Sequence, residues 1–441
     1  MAPTRPDKKK ANARAKKARR TTAAAAAAAT SPRQLLAEAT ARLEQGDVGE
    51  AARLAEEACE RSTGAGRGAA LTLLGEIRVE AGEMAEARAC FLRAVEAAGG
   101  EEGDDDDGHG DDEGGAEKFL WLAQLCEEGG RESVTWFERG AAVLRRQIGR
   151  LGEEVERAVK RAGAVSSSAP SSSAAAAAAA PSSSTPTITT APSPAAHAAQ
   201  TALDEKKRKL AETLCAVAEV YMTDLSWEAD AEGRCEALVT EAGLLAPDHA
   251  GAWQTLANVR ISQGRAADAR AALERSMELW EGLAPEDSSV PAFPARIGLA
   301  RLLIEVDMEE RAVEVVERLV SEDDESVEAW YLGGYGLFAL GEKLKENAEG
   351  DVKGQDDSAD DWKAVWRSAR RWLAQCLLLF QAQEYEDQRL GEHAQDLLET
   401  IKGEIGDAVE GEDEEDDGWE DTDGGEDADE DADEDGDEEM K

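Results

Sequence analysis

Apolar residues recur every three or four positions through residues 31–161 and 201–402, the spacing of helices that bury one face. Short polar breaks carrying Gly or Pro interrupt the pattern, so the chain predicts successive helices joined by tight turns. Ser31 and Pro32 ahead of Leu35 and Leu36 suit an N-cap, a first-turn proline and a first apolar turn. Gly46 and Gly82 fall where a turn between two helices needs a residue that accepts positive φ. In the stretch from Leu71 to Ala94, Gly75 and Ala87 let two helices approach closely, and Phe91 fills the groove beside them.

The sharpest copy of the pattern runs from Pro247 to Trp280, PDHAGAWQTLANVRISQGRAADARAALERSMELW. Trp253, Leu256-Ala257, Gly264, Ala269 and Leu273 stand at the spacing of a tetratricopeptide unit, two antiparallel helices and a tight turn. A weak copy begins at Leu35, a better one at Leu71, and a degenerate one spans about 117–146. A fourth copy closes at Pro247, a sixth holds Leu299-Ala300, Leu303, Ala312, Val316 and Leu319, and a seventh starts around Trp330. The second helix of the seventh follows a polar insertion, at Asp361–Phe380, where Trp362 and Trp366 lie one turn apart and suit core contacts. A last amphipathic helix near Glu386–Lys402 caps the open end. The expected fold is all-α, a tetratricopeptide superhelical solenoid of about seven helix pairs. One such pair cannot bury its apolar face alone, so stacking implies an extended binding surface rather than a catalytic pocket.

The domain plan follows from changes in composition. Residues 1–30 form a basic segment, 31–161 the N-terminal repeats, 162–200 a Ser/Ala/Pro-rich linker, 201–402 the C-terminal repeats, and 403–441 an acidic tail. An acidic, Gly-rich insertion at 99–116 interrupts the first array. It does not suit calcium: with Gly108 as the central glycine, the first and last ligand positions fall on Gly103 and Gly114. In the tail, Asp431, Asp433, Asp435 and Gly436 fit better, but the chain reaches Lys441 before a closing Glu. Both are therefore polyelectrolyte segments, and no metal or other cofactor is expected.

Charge then narrows the partners. The formal charge is -46, yet residues 1–20 carry +8 and residues 403–441 carry -22, which leaves -32 for the rest. Such a polyanion repels nucleic acid and attracts basic proteins, so no direct nucleic-acid binding is expected. The positive charge gathers in Lys8, Lys9, Lys10, Arg14, Lys16, Lys17, Arg19 and Arg20, a nuclear-import signal suited to the acidic grooves of import receptors. Six cysteines sit singly without CxxC spacing, as in a reducing compartment, and no apolar run approaches the length of a membrane span. Cytoplasm and nucleus are the expected locations, with no membrane contact. Four scattered histidines, no nucleophile constellation and no phosphate loop point away from an enzyme. Trp419 is the one aromatic residue in the acidic stretch from Glu410 onward.

In such a solenoid the first helix of each pair lines the concave face. Residues flanking its apolar positions then point into the groove: Glu44, Glu76, Glu80, Gln124, Glu127, Glu219, Gln254, Asn258, Arg301, Glu305, Glu328, Tyr331 and Tyr335. Carboxylates on a curved wall would concentrate a basic partner, and Tyr331 with Tyr335 could hold a cationic head by its charge.

The stretches WLAQLCEEGGRESVTWFERGAAVLRR at 121–146 and EAWYLGGYGLFALGE at 328–342 carry a closer resemblance, together with the order of segments. The chain resembles the fungal tetratricopeptide family of dedicated assembly chaperones of ribosomal protein uL4. That resemblance implies capture and shielding of the long internal loop of newly made uL4, and escort into the nucleus for assembly into the pre-60S particle. A monomer in a one-to-one complex with uL4 is the expected form. The rival expectations are a histone or general basic-protein chaperone, or a tetratricopeptide scaffold or adaptor. An adaptor that grips acidic peptides needs Lys/Arg in the groove, where the clearest repeat offers Gln254 and Asn258.

Overall fold

The computed structural model of the chain describes residues 31–97, 115–167, 194–350 and 361–406. Among them are fifteen helices and no strand. The first pairs are α1 (Pro32–Glu44) with α2 (Val48–Arg61), α3 (Gly64–Glu80) with α4 (Met84–Ala97), and α5 (Glu117–Gln124) with α6 (Gly130–Ser167). Next come α7 (Pro194–Met222) with α8 (Ala231–Leu245), α9 (Ala250–Ser262) with α10 (Ala266–Glu278), and α11 (Phe293–Glu305) with α12 (Glu309–Glu322). The seventh pair is α13 (Val327–Gly350) with α14 (Asp361–Ala382), and α15 (Gln388–Ile405) follows it. Seven pairs and a last helix are what the repeat spacing predicts. The basic segment with its import signal, most of the 99–116 insertion, the tail beyond Gly406 and Trp419 lie outside the described residues.

Local chemistry sets the helix ends. Ser31 and Gln34 form a capping box: Gln34 N–H donates to Ser31 Oγ at 3.3 Å and Ser31 N–H to Gln34 Oε1 at 2.9 Å. The turns at Gly46, Gly82 and Gly264 have φ of 76°, 76° and 70°. Each is closed by the same reach back across the helix end, as from Asp47 N to Arg42 O and Arg265 N to Arg260 O, both at 2.9 Å. In the sixth pair Asp307 takes the glycine's place at φ 64°, with Met308 N bonding Leu303 O at 2.9 Å. A short polar side chain tolerates this region better than a branched one. Gly75 meets Phe91 so closely that a Cβ would lie 2.5 Å from the ring.

The chain divides into two compact units, Met1–Val315 and Val316–Lys441. The division falls inside α12, whereas composition places a linker at 162–200. Helix α6 runs on to Ser167 and α7 already begins at Pro194, so helix enters both ends of that linker. One core cluster also crosses it, with Phe119, Ala141 and Leu144 packed against Leu210, Leu214 and Cys215. Residues 168–193 of that linker lie outside the described residues.

The second unit has its own core. Trp366 is buried, stacks on Phe338 at 5.2 Å, and donates its indole N–H to Phe338 O at 3.0 Å. Trp362 meets it edge-on at 5.1 Å, and Trp372 lies 4.7 Å from Trp330. Gly333, Gly334 and Gly341 admit Trp372, Leu373 and Trp366 against the α13 backbone. Helix α15 adds Leu390, Ala394, Leu397 and Ile401 to this core.

Candidate functional site

In the first unit, the first helices of successive pairs share a wall. Glu76 on α3 is coupled electrostatically to Glu117 on α5 and Lys209 on α7. Lys206 Nζ on α7 lies 3.7 Å from Glu117 Oε1. His249, at the start of α9, places Nε2 3.7 Å from Glu212 Oε1 on α7. Farther along α7, Glu219 stands near Thr255 of α9, whose hydroxyl donates to Gly251 O at 3.2 Å. A cavity of about 280 Å³ opens between α5 and α7, with Leu120, Trp121 and Ala216 beside Glu117, Glu212 and Lys209.

Crowding of this wall alters its chemistry. Loss of solvation pushes the Glu76 carboxyl up to about 7, and the neighbouring Glu117 charge adds to the effect while Lys209 opposes it. Glu219 is raised as well by desolvation, against the opposing effect of the nearby Thr255 hydroxyl. Its side chain is nonetheless open to water, the condition of a group standing in a hollow rather than in a core. His249 is shifted down by burial, which outweighs the pull of Glu212, and it favours the neutral ring. Lys209 thus offsets Glu76 and Lys206 pairs with Glu117, while Glu212 lies beside Lys209 and Glu219 stands farther along α7. The wall is negative, but part of its charge is already neutralised.

The sequence-predicted residues distribute unevenly. Glu76 and Glu219 belong to the wall and Gln124 lines its cavity. Glu44, Glu80, Asn258, Arg301 and Glu305 are exposed on their first helices. Glu127 is exposed too, but α5 stops at Gln124, so it stands in the turn and not on a helix face. The Glu-Glu-Gly-Gly run at 127–130 ends the helix early, with Gly129 and Gly130 at φ 59° and 51°. Gln254 is buried, donating its amide to Ser276 Oγ on α10 at 3.3 Å, so it packs within its pair instead of lining a groove.

In the second unit, Glu328 is half-buried in the first turn of α13. Tyr331 and Tyr335 stack at 6.1 Å, and both meet His393 of α15 edge-on at 5.9 and 5.6 Å. Tyr331 Oη and His393 Nδ1 are 2.7 Å apart. The pair therefore holds the last helix in place, and its ring faces are not an open cradle for a cation. Glu117, Glu212, Lys206 and Lys209 are wall residues that pattern reading missed. The basic run Lys206–Lys209 ahead of Leu210 was the available signal.

Among the described residues, no His/Cys/Asp/Glu group could hold a metal ion, and no helix is long and apolar enough to cross a membrane. Buried Cys215 is pushed up to about 11 and Cys376 to about 12 by desolvation, which keeps both as unreactive thiols.

Known proteins place this architecture. The tetratricopeptide repeat family model matches residues 69–100, the α3/α4 pair. A "Probable assembly chaperone of rpl4" from Emericella nidulans is 38% identical over 95% of this chain and 94% of its own length. A protein of the same name from Schizosaccharomyces pombe is 28% identical over 83% of this chain and 90% of its own. The solved structure of "Assembly Chaperone of RpL4 (Acl4) (Residues 1-338)" is 51% identical and superposes with a TM-score of 0.59, covering 72% of this chain and all of that one. With its helix pairs and near-complete alignment to these relatives, the chain belongs to the tetratricopeptide family of assembly chaperones named for rpl4.

Proposed function

We propose that this protein is a dedicated chaperone of newly made ribosomal protein uL4, the rpl4 of its relatives' names. It holds the long internal loop of uL4 and shields it until assembly into the pre-60S particle. The carrying observation is the whole-length relationship to assembly chaperones of rpl4. The wall formed by α3, α5, α7 and α9 supplies the chemistry. Carboxylates there attract Lys and Arg, while Leu120, Trp121 and Ala216 receive aliphatic stems. The protein acts as a monomeric binder in a one-to-one complex, not as a catalyst. Its basic start, Lys8 to Arg20, engages import receptors, so the loaded pair moves from cytoplasm to nucleus.

Calorimetry with purified uL4 tests the reading. Joint reversal of Glu219→Lys and Glu305→Lys should weaken binding about tenfold, roughly 1.4 kcal/mol. Equal affinity for the double variant and the parent would remove both carboxylates from the site. Loose, salt-sensitive binding to histones as well as uL4 would support the general basic-protein chaperone.

A further inference from the structure

The turn between α7 and α8, residues 223–230, is far longer than the three-residue turns at Gly46, Gly82 and Gly264. It is fixed from beneath. Leu225 is buried among Val134, Phe137 and Tyr221, and Asp224 Oδ2 accepts a hydrogen bond from Gly130 N at 2.9 Å. Glu228, with only 11% of its side chain exposed, pairs with Arg131 at 2.6 Å. On this anchored loop Trp227 is 75% exposed. Its indole N–H donates to Asp224 O at 3.0 Å, which orients the ring and leaves its faces open. At its chain neighbour Ser226 opens a hollow of about 420 Å³, lined by Tyr221, Met222, Cys235 and Val259, with exposed Glu232.

A large aromatic group usually hides its surface. Here the chain inserts a loop, ties it to the α5–α6 turn, and turns a tryptophan outward among carboxylates. Asp224, Asp230 and Glu232 accompany it, and Glu127 and Glu128 lie on the neighbouring turn. The nearby cations are engaged: Arg131 with Glu228, and Arg234 with Glu138 and Asp230. Residual negative charge around an open indole suits Lys or Arg, with the stem on the ring and the head among carboxylates. The hollow takes an adjacent aliphatic side chain.

We propose that Trp227 and this hollow dock a Lys/Arg-rich segment of the client that lies beyond the part held by the first-helix wall. The proposal rests on the reading of the protein as a uL4 chaperone. The site gives the complex a second point of attachment, on the edge where the helix-pair turns lie, so that release requires both contacts to open.

The test uses the full chain and full-length uL4 in calorimetry. Trp227→Ala should weaken binding about fivefold with an unchanged melting temperature, since the side chain is exposed, and Trp227→Phe should stay within about twofold of the parent. With 5-fluorotryptophan incorporated, the ¹⁹F signal missing from Trp227→Phe should shift when uL4 is added to the parent. Equal affinity for Trp227→Ala, or an unmoved signal, overturns the proposal. Loss of the Trp227→Ala effect once residues 1–30 are removed would also overturn it, by assigning the site to the chain's own basic segment. Absence of uL4 binding by the parent would instead overturn the chaperone reading itself.

Discussion

The first-helix wall of the first unit and the α13–α15 region of the second use the same helix-pair plan for opposite ends. Along α3, α5, α7 and α9, carboxylates and lysines stand in a hollow where solvation is poor and ion pairs are loose, as at 3.7 Å for Lys206 and Glu117. In the other region, glycines on α13 admit three large side chains of α14, and aromatic rings close on one another. The first arrangement leaves electrostatic free energy unsatisfied and available to a guest. The second spends its contacts internally. A repeat fold can therefore separate binding from rigidity by what it puts on the first helix of each pair.

Trp366→Ala should show the largest contrast. It removes the stacked ring and its bond to Phe338 O, and should cost about 3–5 kcal/mol in urea unfolding followed by a second-unit probe. A loss under about 1 kcal/mol would mean that the aromatic region is not a packed core.

Glu76→Gln should do the opposite. The folded carboxyl lies at about 7, above the ordinary glutamate value of 4.5. The folded state therefore holds the proton more tightly than the unfolded one. The stability this contributes is complete below 4.5 and is lost as pH rises through 7. The glutamine variant should match the parent at pH 4 and exceed it at pH 8 by about 1–3 kcal/mol. For uL4 the trend reverses: parent affinity should rise from pH 6 to 8 as Glu76 ionises, and the variant should bind more weakly at pH 8. A pH-independent difference in stability between the two proteins would dismiss the strained carboxyl.

The smallest effect should come from deleting 411–441. Electrostatic attraction reaches only about 8 Å at physiological salt, so uL4 affinity should change less than threefold in calorimetry. A loss of tenfold or more would move the binding chemistry from the wall to the tail.

Much of the scaffold was legible in the sequence because backbone demands are local. Gly46, Gly82 and Gly264 mark turns that few other residues accept, and Ser31 with Gln34 announces a helix start. Asp307 hid the sixth turn, since aspartate fills the glycine's role without looking like it. The site was harder to read. Helix α9 buries Ala250, Ala252, Gln254, Thr255, Ala257 and Val259, nearly all round, because it packs against α7, α8, α10 and α11. A helix buried on several sides gives no periodic hint of which polar residue faces outward, and Gln254 turned in. Tyr331 and Tyr335 were misplaced for a related reason: their partner His393 lies 62 and 58 positions farther along, beyond any local pattern. Composition alone also could not foresee that Leu144 and Leu210 would pack across the Ser/Ala/Pro-rich stretch.

Lys206 and Lys209 give the wall built-in counterions. A lone arginine or a polyamine arriving there merely swaps one cation for another, and each exchange is close to neutral in free energy. Only a long guest that displaces several at once, while covering the apolar floor, gains enough to stay. A hollow built this way would discriminate by length and charge density, and ignore the small cations that crowd every cell.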